Sequence, residues 1–249
     1  MRPRHLSRNP SHDGQRDQPR PLAHRHTFWS TAIFLLLLSG VAIRAYRDLS
    51  QPDAWAYWKD QYFSPNLTAT PVGNASLGSS DHNRRGLVIK GTIGPAAATW
   101  FRAKLDEAKL GSGDMILLSS PGGNLDQAII MGEEIRSRGL LTAVGVVDAS
   151  GRTRPAYCAS ACVLVYAGGK IRYGVKGSML GVHRFVNTRP LEDPIAEAQR
   201  VAGIILGYMT RMGVSSSIVE VMSQTKDIRW LDAKQAVAMN LITDPLGNP

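Results

Sequence analysis

The sequence predicts an α/β fold in which repeated β-α-β units build a parallel sheet, preceded by one transmembrane helix. From residue 85 onward, short apolar runs alternate with longer amphipathic stretches, a pattern typical of right-handed crossovers between parallel strands. The run 114–119 is apolar almost throughout, as in a strand that is buried on both faces. Near the N-terminus, the 17 residues 27–43 carry no charge, a length at the short end for a membrane-spanning helix.

Composition and charge limit the classes of function. The chain has 249 residues, 43% of them hydrophobic and 20% charged, which leaves room for one substantial core. The net charge is +9, of which residues 1–26 supply +4 through six arginines and two aspartates. No basic groove motif with interleaved aromatic residues follows, so we expect no nucleic-acid partner. No nucleotide-binding loop or cluster of metal ligands occurs either, so we expect no cofactor and no metal.

The N-terminal region is interpreted as a tail followed by an anchor. Residues 1–26 are rich in Arg, His, Pro and Ser, and such a composition predicts a disordered basic tail. The segment 27–45 is the predicted signal-anchor, with Thr27 to Ile43 as its apolar part. The excess of arginine before it favours a cytoplasmic N-terminus. This predicts a single-pass protein of the inner membrane with a periplasmic C-terminal domain. A cleaved signal peptide and a buried core helix are the alternatives.

The next stretch, 46–84, is predicted to be a juxtamembrane segment and linker. Residues 53–63 place several aromatic side chains on one helical face, which suits either a membrane interface or packing on the folded domain. Residues 64–84 are rich in Ser, Gly, Asn and Pro and have no hydrophobic period, as expected of a linker. The folded domain is therefore predicted to cover 85–249.

Within that domain the periodicity predicts strands that alternate with helices. Apolar residues recur at helical spacing in 124–138, and glycine follows that segment. The predicted strands are 86–93, 114–119, 140–147, 171–173 and 178–183. One predicted helix begins at Pro95 and ends before Gly111, and another begins at Ser160. The others cover 124–138, 191–212, 215–223 and 232–239. In such folds a functional site collects at the carboxyl ends of the strands.

Three short motifs point to acyl-transfer chemistry at those strand ends. Ser160 lies between small residues, Gly122 and Gly123 follow one predicted strand, and His183 ends another. A serine nucleophile requires a nearby base, and adjacent backbone amides can stabilise an oxyanion. Each motif alone has a structural explanation, as a helix cap or small core residue, a tight turn, or a core histidine. Their order in one α/β unit favours the catalytic interpretation.

Cys158 and Cys162 are the two cysteines of the chain and flank Ser160. They are interpreted as small buried side chains on one face of a helix. A disulfide between them is the alternative in an oxidising compartment, although helical geometry is not ideal for it.

The motifs Ser-Pro-Gly-Gly at 120–123, Cys-Ala-Ser-Ala-Cys at 158–162 and Gly-Val-His at 181–183 resemble the proteolytic subunit of the Clp (caseinolytic) proteases. The sequence looks most like the small membrane-anchored or periplasmic relatives of that family. The stretch 229–244 is similar to the family's closing pattern, so the resemblance covers about 87–245. It implies a ClpP/crotonase-like fold, a serine endopeptidase that acts on peptides or proteins through an acyl-enzyme, and assembly into a homo-oligomer.

The resemblance also implies roles for individual residues. Ser160 matches the nucleophile, His183 the general base, and Gly123 and Ala161 the two amide donors of the oxyanion hole. The family's acid would stand at Ile228, so its role passes to Asp227 only with a shift of one residue.

Because the acid is displaced, the site is expected to be a triad with Asp227, a dyad, or an impaired site. Asp232 is interpreted as a helix N-cap. A serine–lysine dyad is a further variant, but Lys170, Lys176 and Lys226 do not match its pattern. An impaired site would make the protein a membrane-tethered scaffold or binding module, which is the main alternative to a peptidase. An acyl-CoA hydrolase on the same fold is a third class, for which the sequence has no specific feature.

Overall fold

The computed structural model describes residues 23–51, 53–63, 66–75, 77, 84–185 and 192–245. The chain divides into two compact units, Met1–Ala54 and Trp55–Pro249. The helices are α1 (Ala23–Leu49), α2 (Ala54–Phe63), α3 (Ala97–Glu107), α4 (Leu125–Ser137), α5 (Cys162–Ala167), α6 (Pro194–Arg211), α7 (Ser217–Ser223) and α8 (Ala233–Ala238). The strands are β1 (Leu67–Ala75), β2 (Arg84–Gly91), β3 (Met115–Ser119), β4 (Leu141–Val144), β5 (Val146–Val147), β6 (Thr153–Arg154), β7 (Tyr157–Ala159), β8 (Arg172–Gly174), β9 (Met179–Val182), β10 (Arg229–Leu231) and β11 (Asp244–Pro245).

The first unit contains the apolar helix α1. Its segment Phe28–Leu49 is long and apolar enough to cross a membrane, with 22 residues and a mean hydropathy of 1.7. The helix extends beyond the predicted segment 27–45 on both sides. The ability of α1 to cross a membrane is inferred from its length and composition alone, and a signal sequence near the N-terminus has the same features.

The second unit begins with α2, whose aromatic side chains are exposed. Trp55 and Tyr62 are each more than 60% exposed, and the rings of Trp58 and Tyr62 stack with their centroids 5.5 Å apart. Trp58 is less exposed, at 41%, so packing on the folded domain stays one of the two alternatives. A role at a membrane interface stays a prediction.

The strand β1 occupies residues 67–75 of the predicted linker. β1 pairs antiparallel with β2, from Leu67 opposite Gly91 to Val72 opposite Gly86. The prediction of a structureless linker over 64–84 is wrong for this segment. Pro71 and Gly73 suggested a loop, but an edge strand tolerates both residues because one side of its backbone has no neighbour to pair with.

The main sheet is parallel except for its edge strand, and its strand order is β1-β2-β3-β4-β8-β11. The prediction of a parallel sheet is confirmed in this respect. Alternate residues of the strands enter two separate cores: Leu87 and Ile89 pack in the larger one, and Val88 packs in the smaller one. Burial on both faces explains why the strand sequences are continuously apolar.

Side chains cap the helices that frame the site. Asn124 accepts a hydrogen bond from the Gln127 amide at the start of α4, and Asp193 caps α6 in the same way. Asp232 accepts from the Gln235 amide and caps α8, so the prediction of an N-cap at Asp232 is confirmed. Leu191, the predicted start of the long helix, lies outside the described residues.

A buried arginine ties the C-terminal segment to the sheet. Arg172 on β8 is 2% exposed and donates hydrogen bonds to the carbonyls of Gly169, Met212, Asn240 and Leu241. Burial lowers the pKa of Arg172 to about 10, so it is still a cation at neutral pH. The four carbonyls satisfy its donors in place of a carboxylate.

The strand that leads to His183 lies outside the main sheet. The predicted strand 140–147 divides at Gly145 into β4 and β5, and β5 pairs with β6. A smaller sheet has the order β10-β9-β7. In this smaller sheet β9 pairs parallel with β7 and antiparallel with β10, and an isolated bridge joins Cys158 of β7 to Ser120 after β3.

Candidate active site

Ser160 occupies a sharp turn between β7 and α5. The strand ends at Ala159 and the helix begins at Cys162. Ser160 therefore precedes the helix, whereas the sequence predicted that it opens the helix. Its φ of +56° lies in the left-handed region, which is sparsely populated by residues other than glycine. In serine hydrolases of the α/β-hydrolase fold, a strand-to-helix turn of this kind projects the nucleophile out of the backbone.

Parallel pairing in the smaller sheet brings His183 to Ser160. β7 and β9 run side by side with Ala159 opposite Gly181. Ser160 directly follows β7, His183 directly follows β9, and the Ser160 amide donates to the Gly181 carbonyl at 2.8 Å. Because both residues leave the carboxyl ends of neighbouring strands, their side chains meet: His183 Nε2 lies 2.7 Å from Ser160 Oγ.

The other ring nitrogen determines the tautomer of His183. His183 Nδ1 lies 2.6 Å from the Arg184 carbonyl oxygen. A carbonyl can only accept, so Nδ1 carries the hydrogen and Nε2 has a free lone pair. Nε2 therefore accepts the hydrogen bond from the Ser160 hydroxyl, which is the arrangement that a general base requires.

Gly123 and Ala161 line one cleft together with Ser160 and His183. Neither backbone amide donates a hydrogen bond to any residue in the described part of the chain. Backbone amides that are free to donate beside a hydroxyl can stabilise a negatively charged oxygen. The predicted oxyanion-hole residues are thus next to the predicted nucleophile and base.

Gly122 packs directly against the Ser160 turn. A Cβ atom at position 122 would lie 2.6 Å from the Ala159 carbonyl oxygen, 2.8 Å from Ser160 Cβ and 2.9 Å from the Ala161 nitrogen. Its φ of +97° also requires glycine. Its amide donates to Ser120 Oγ at 3.0 Å, a contact that the sequence analysis missed and that the Ser-x-Gly spacing typical of serine turns would have indicated.

The remaining wall of the cleft is mainly apolar. The cleft has a volume of about 80 Å³. Its other lining residues come from α4, α5, α6, α7 and the segment after β9: Leu125, Leu164, Ile205, Met222, Arg184 and Phe185. A small apolar cleft beside a serine and a histidine can hold an apolar side chain of a ligand.

Side chains from other elements fix α5 behind Ser160. The Tyr208 hydroxyl donates to the Leu164 carbonyl at 2.7 Å, and the Thr142 hydroxyl donates to the Tyr166 carbonyl at 2.8 Å. Burial raises the pKa of Tyr208 above its usual range, so its hydroxyl stays protonated and remains a donor. The helix that follows the candidate nucleophile is therefore rigidly anchored.

Asp227 does not contact His183. Its side chain is exposed, and within the described residues no hydrogen bond joins its carboxylate to the imidazole. The segment is nevertheless close, because the Arg184 amide donates to the Thr225 carbonyl at 2.8 Å. The predicted role of Asp227 as third catalytic member has no direct contact to support it. The Arg184 carbonyl that pairs with Nδ1 could not be inferred from sequence, since every residue has a carbonyl.

Cys158 and Cys162 form a disulfide around Ser160. Their Cα atoms are 5.3 Å apart. Cys158 lies in β7 and Cys162 begins α5, so the interpretation of two side chains on one helix face is wrong. The poor geometry of a disulfide within one helix does not apply to this pair, because the strand-to-helix turn brings the two cysteines together.

Among the described residues, no three His, Cys, Asp or Glu side chains lie close enough together to hold a metal ion.

Comparison with known proteins identifies the fold. No protein-family model matches the sequence, and no curated protein matches it. A point mutant of ClpP1 from Listeria monocytogenes is similar in structure, with a TM-score of 0.50 and 17% identity over 66% of this chain and 91% of that chain. ClpP1 from the same organism has a TM-score of 0.49 and 16% identity over 66% and 92%. The fold is therefore ClpP-like, as the motifs predicted, and at this identity the likeness extends to the fold alone.

Proposed function

We propose that the protein is a membrane-anchored serine endopeptidase of Clp-protease-like type, which cleaves peptide bonds through an acyl-enzyme. One observation carries the proposal: Ser160 Oγ lies 2.7 Å from His183 Nε2, in one cleft with Gly123 and Ala161, whose amides have no acceptor among the described residues. A hydroxyl, a base in the correct tautomer and two oxyanion donors are the groups that acyl transfer requires. The ClpP-like fold is consistent with this chemistry.

The proposed reaction has two stages. Ser160 Oγ attacks the carbonyl carbon of the scissile bond while His183 Nε2 removes the hydroxyl proton. The carbonyl oxygen becomes an oxyanion that accepts hydrogen bonds from the Gly123 and Ala161 amides. The intermediate then collapses, His183 gives its proton to the leaving amine, and the C–N bond breaks. In the second stage, water attacks the Ser160 ester with His183 again as base, which releases the carboxylic acid and restores the serine.

The contacts of His183 favour a dyad over a triad. Its Nδ1–H donates to the Arg184 carbonyl at 2.6 Å, whereas Asp227 is exposed and makes no contact with the ring. We propose that the Arg184 carbonyl orients the imidazole, a role that a carboxylate has in a serine–histidine–aspartate triad.

The lining of the cleft bears on the substrate. Leu125, Leu164, Ile205 and Met222 surround the position next to Ser160, so the proposed substrate is a peptide or protein with an apolar side chain at the cleaved bond. The resemblance to Clp proteases further implies a homo-oligomer. Neither a cofactor nor a nucleic-acid partner enters the proposal.

Probe labelling tests the catalytic proposal. A fluorophosphonate reacts with an activated serine by forming a P–O bond to Oγ and releasing fluoride. We expect the purified full-length chain to be labelled, with the adduct located at Ser160 by peptide mass spectrometry. The Ser160→Ala variant is expected to be unlabelled, while Ser150→Ala, at an exposed serine of the β5–β6 turn, is expected to be labelled like the wild type.

The same experiment decides between a peptidase and a non-catalytic protein. An unlabelled wild type, or equal labelling of the Ser160→Ala variant, would overturn the peptidase proposal. An unlabelled wild type would favour the alternative of a membrane-tethered scaffold on the same fold, for which the exposure of Asp227 and its lack of a hydrogen bond to His183 among the described residues are the motivating observations.

The membrane part of the proposal has separate support. Phe28–Leu49 has the length and hydropathy of a spanning helix, and arginine is enriched before it, which favours a cytoplasmic N-terminus. The Cys158–Cys162 disulfide is consistent with an oxidising compartment outside the cytoplasm.

A fusion experiment tests this topology. Alkaline phosphatase folds into its active form only outside the bacterial cytoplasm, so when fused after Pro249 it is expected to be active and to stay with the membrane after carbonate extraction. Activity in the soluble periplasmic fraction would indicate a cleaved signal peptide. Absence of phosphatase activity from a stable fusion would contradict the proposed orientation.

A further inference from the structure

The only two cysteines of the chain enclose the candidate nucleophile. Cys158 precedes Ser160 by two residues and Cys162 follows it by two. The disulfide thus closes a five-residue loop that contains Ser160 and Ala161. Of the groups proposed for catalysis, this loop carries both the hydroxyl and one of the two oxyanion donors.

Hydrogen bonds hold this loop on both sides, but none of them comes from the Ala161 amide. The Ala159 amide donates to the Ser120 carbonyl at 3.0 Å, and the Ser160 amide donates to the Gly181 carbonyl at 2.8 Å. On the helix side, the carbonyls of Ser160 and Ala161 accept from the amides of Val163 and Leu164 at 3.0 and 3.1 Å. The Ala161 amide has no acceptor in the described part of the chain, and the covalent link from Cys158 to Cys162 adds a constraint across the turn.

The constrained conformation is one that the backbone avoids. Ser160 has a φ of +56°, and a non-glycine residue stays in this region only when its surroundings enforce it. Both half-cystines are fully buried, at 0% exposure. The disulfide is therefore part of the packed core, and a reductant in solution reaches it only slowly. Gly122 packs against the same turn, because a Cβ atom added to it would lie within 3 Å of atoms of Ala159, Ser160 and Ala161.

We propose that the Cys158–Cys162 disulfide is a positioning element, which holds Ser160 and the Ala161 amide in reactive geometry and makes Ser160 reactivity dependent on redox state. In the reduced chain the turn relaxes from its left-handed conformation, and the hydroxyl and the amide no longer point to one place. The reactivity part of this inference rests on the proposed function, whereas the conformational part does not.

The redox step is a thiol–disulfide exchange with a dithiol reductant. The two thiols of the dithiol lose two electrons and two protons and close into a disulfide. The S–S bond between Cys158 and Cys162 breaks, and each sulfur takes up one electron and one proton to become a thiol. Because the chain has no other cysteine, every effect of thiol–disulfide exchange on this protein acts through this one bond.

The test compares oxidised, reduced and reoxidised full-length protein in detergent. Alkylation without reductant is expected to modify neither cysteine. After treatment with dithiothreitol and its removal, we expect fluorophosphonate labelling of Ser160 to slow by at least tenfold and to recover on reoxidation. The kcat for a cleaved peptide is expected to fall with KM nearly unchanged, and thermal unfolding is expected to remain cooperative. A purely structural disulfide would not produce this separation of kcat from KM.

A double variant and hydrogen exchange complete the test. Cys158→Ala combined with Cys162→Ala is expected to label as slowly as the reduced wild type and to be insensitive to dithiothreitol. Amide hydrogen exchange in a peptide spanning 157–167 is expected to accelerate on reduction. Where the double variant does not fold, the reduced wild type supplies the same comparison.

The outcomes distinguish a failure of the disulfide inference from a failure of the proposed function. Equal labelling rates in the oxidised and reduced folded protein would overturn the inference, as would alkylation of both cysteines before reduction. If the oxidised wild type is not labelled at all, the proposed function fails. Hydrogen exchange then decides the conformational part, and unchanged exchange on reduction overturns it.

Discussion

Replacing His183 with glutamine is expected to lower the rate of fluorophosphonate labelling and of peptide cleavage by roughly 10⁶-fold, the scale of losing the base of a serine hydrolase. Glutamine retains a polar side chain of similar reach but has no basic nitrogen at neutral pH. It can hydrogen bond to Ser160 Oγ, which now lies 2.7 Å from His183 Nε2, but it cannot accept the proton of the attacking hydroxyl. The measurement is the second-order labelling rate at a pH where the wild type is fully active.

Asp227→Asn is the matched comparison. Its carboxylate is exposed and does not contact the imidazole, whereas Nδ1 already has the Arg184 carbonyl as its acceptor. We therefore expect labelling of this variant to stay within about tenfold of the wild type, well short of the roughly 10⁴-fold effect of losing a triad carboxylate. A loss of roughly 10⁴-fold would instead assign Asp227 to the triad. Wild-type labelling of a folded His183→Gln variant would remove the histidine from the mechanism.

The second large effect is expected at Gly122. An alanine Cβ there would lie between 2.6 and 2.9 Å from atoms of Ala159, Ser160 and Ala161, distances at which the turn has to move. Displacing the hydroxyl and one oxyanion amide together should slow labelling by about 10²- to 10³-fold, the effect of losing one such donor. The φ of +97° should also cost about 1–3 kcal/mol of stability. Labelling rate and thermal unfolding are measured on the same sample.

Gly111→Ala is the control for Gly122→Ala. Gly111 is exposed, has a φ outside the left-handed region, and has open space where a Cβ would be added. The substitution is expected to leave both labelling and thermal unfolding close to wild type. If the Gly122→Ala variant matches this control in labelling rate, the close packing of Gly122 against the Ser160 turn has no functional consequence.

Much of the fold could be predicted because its signals are local. The continuous apolar character of 114–119 identified a strand buried on both faces, and the structure has β3 at Met115–Ser119. The N-cap at Asp232 was recognisable from its position before an amphipathic segment. β1 was missed because its proline and glycine are more typical of loops than of strands, and its pairing with β2 is a long-range contact that composition does not report.

The candidate site was likewise predictable from the sequence only in part. The residue types for acyl transfer and their order were determined by the sequence alone: a serine between small residues, a glycine pair before a helix, and a histidine at a strand end. Local pattern also determined the apolar segment 27–43, because hydropathy and length are properties of the chain itself.

Only the tertiary structure decided how these residues meet. Parallel pairing of β7 with β9 brings the ring of His183 to Ser160, and the left-handed turn joins Cys158 to Cys162 around that serine. It also decided that a backbone carbonyl, and not Asp227, faces Nδ1. The physical reason is that strand pairing, backbone handedness and carbonyl contacts depend on which distant segments become neighbours, whereas residue types and their spacing describe one segment at a time.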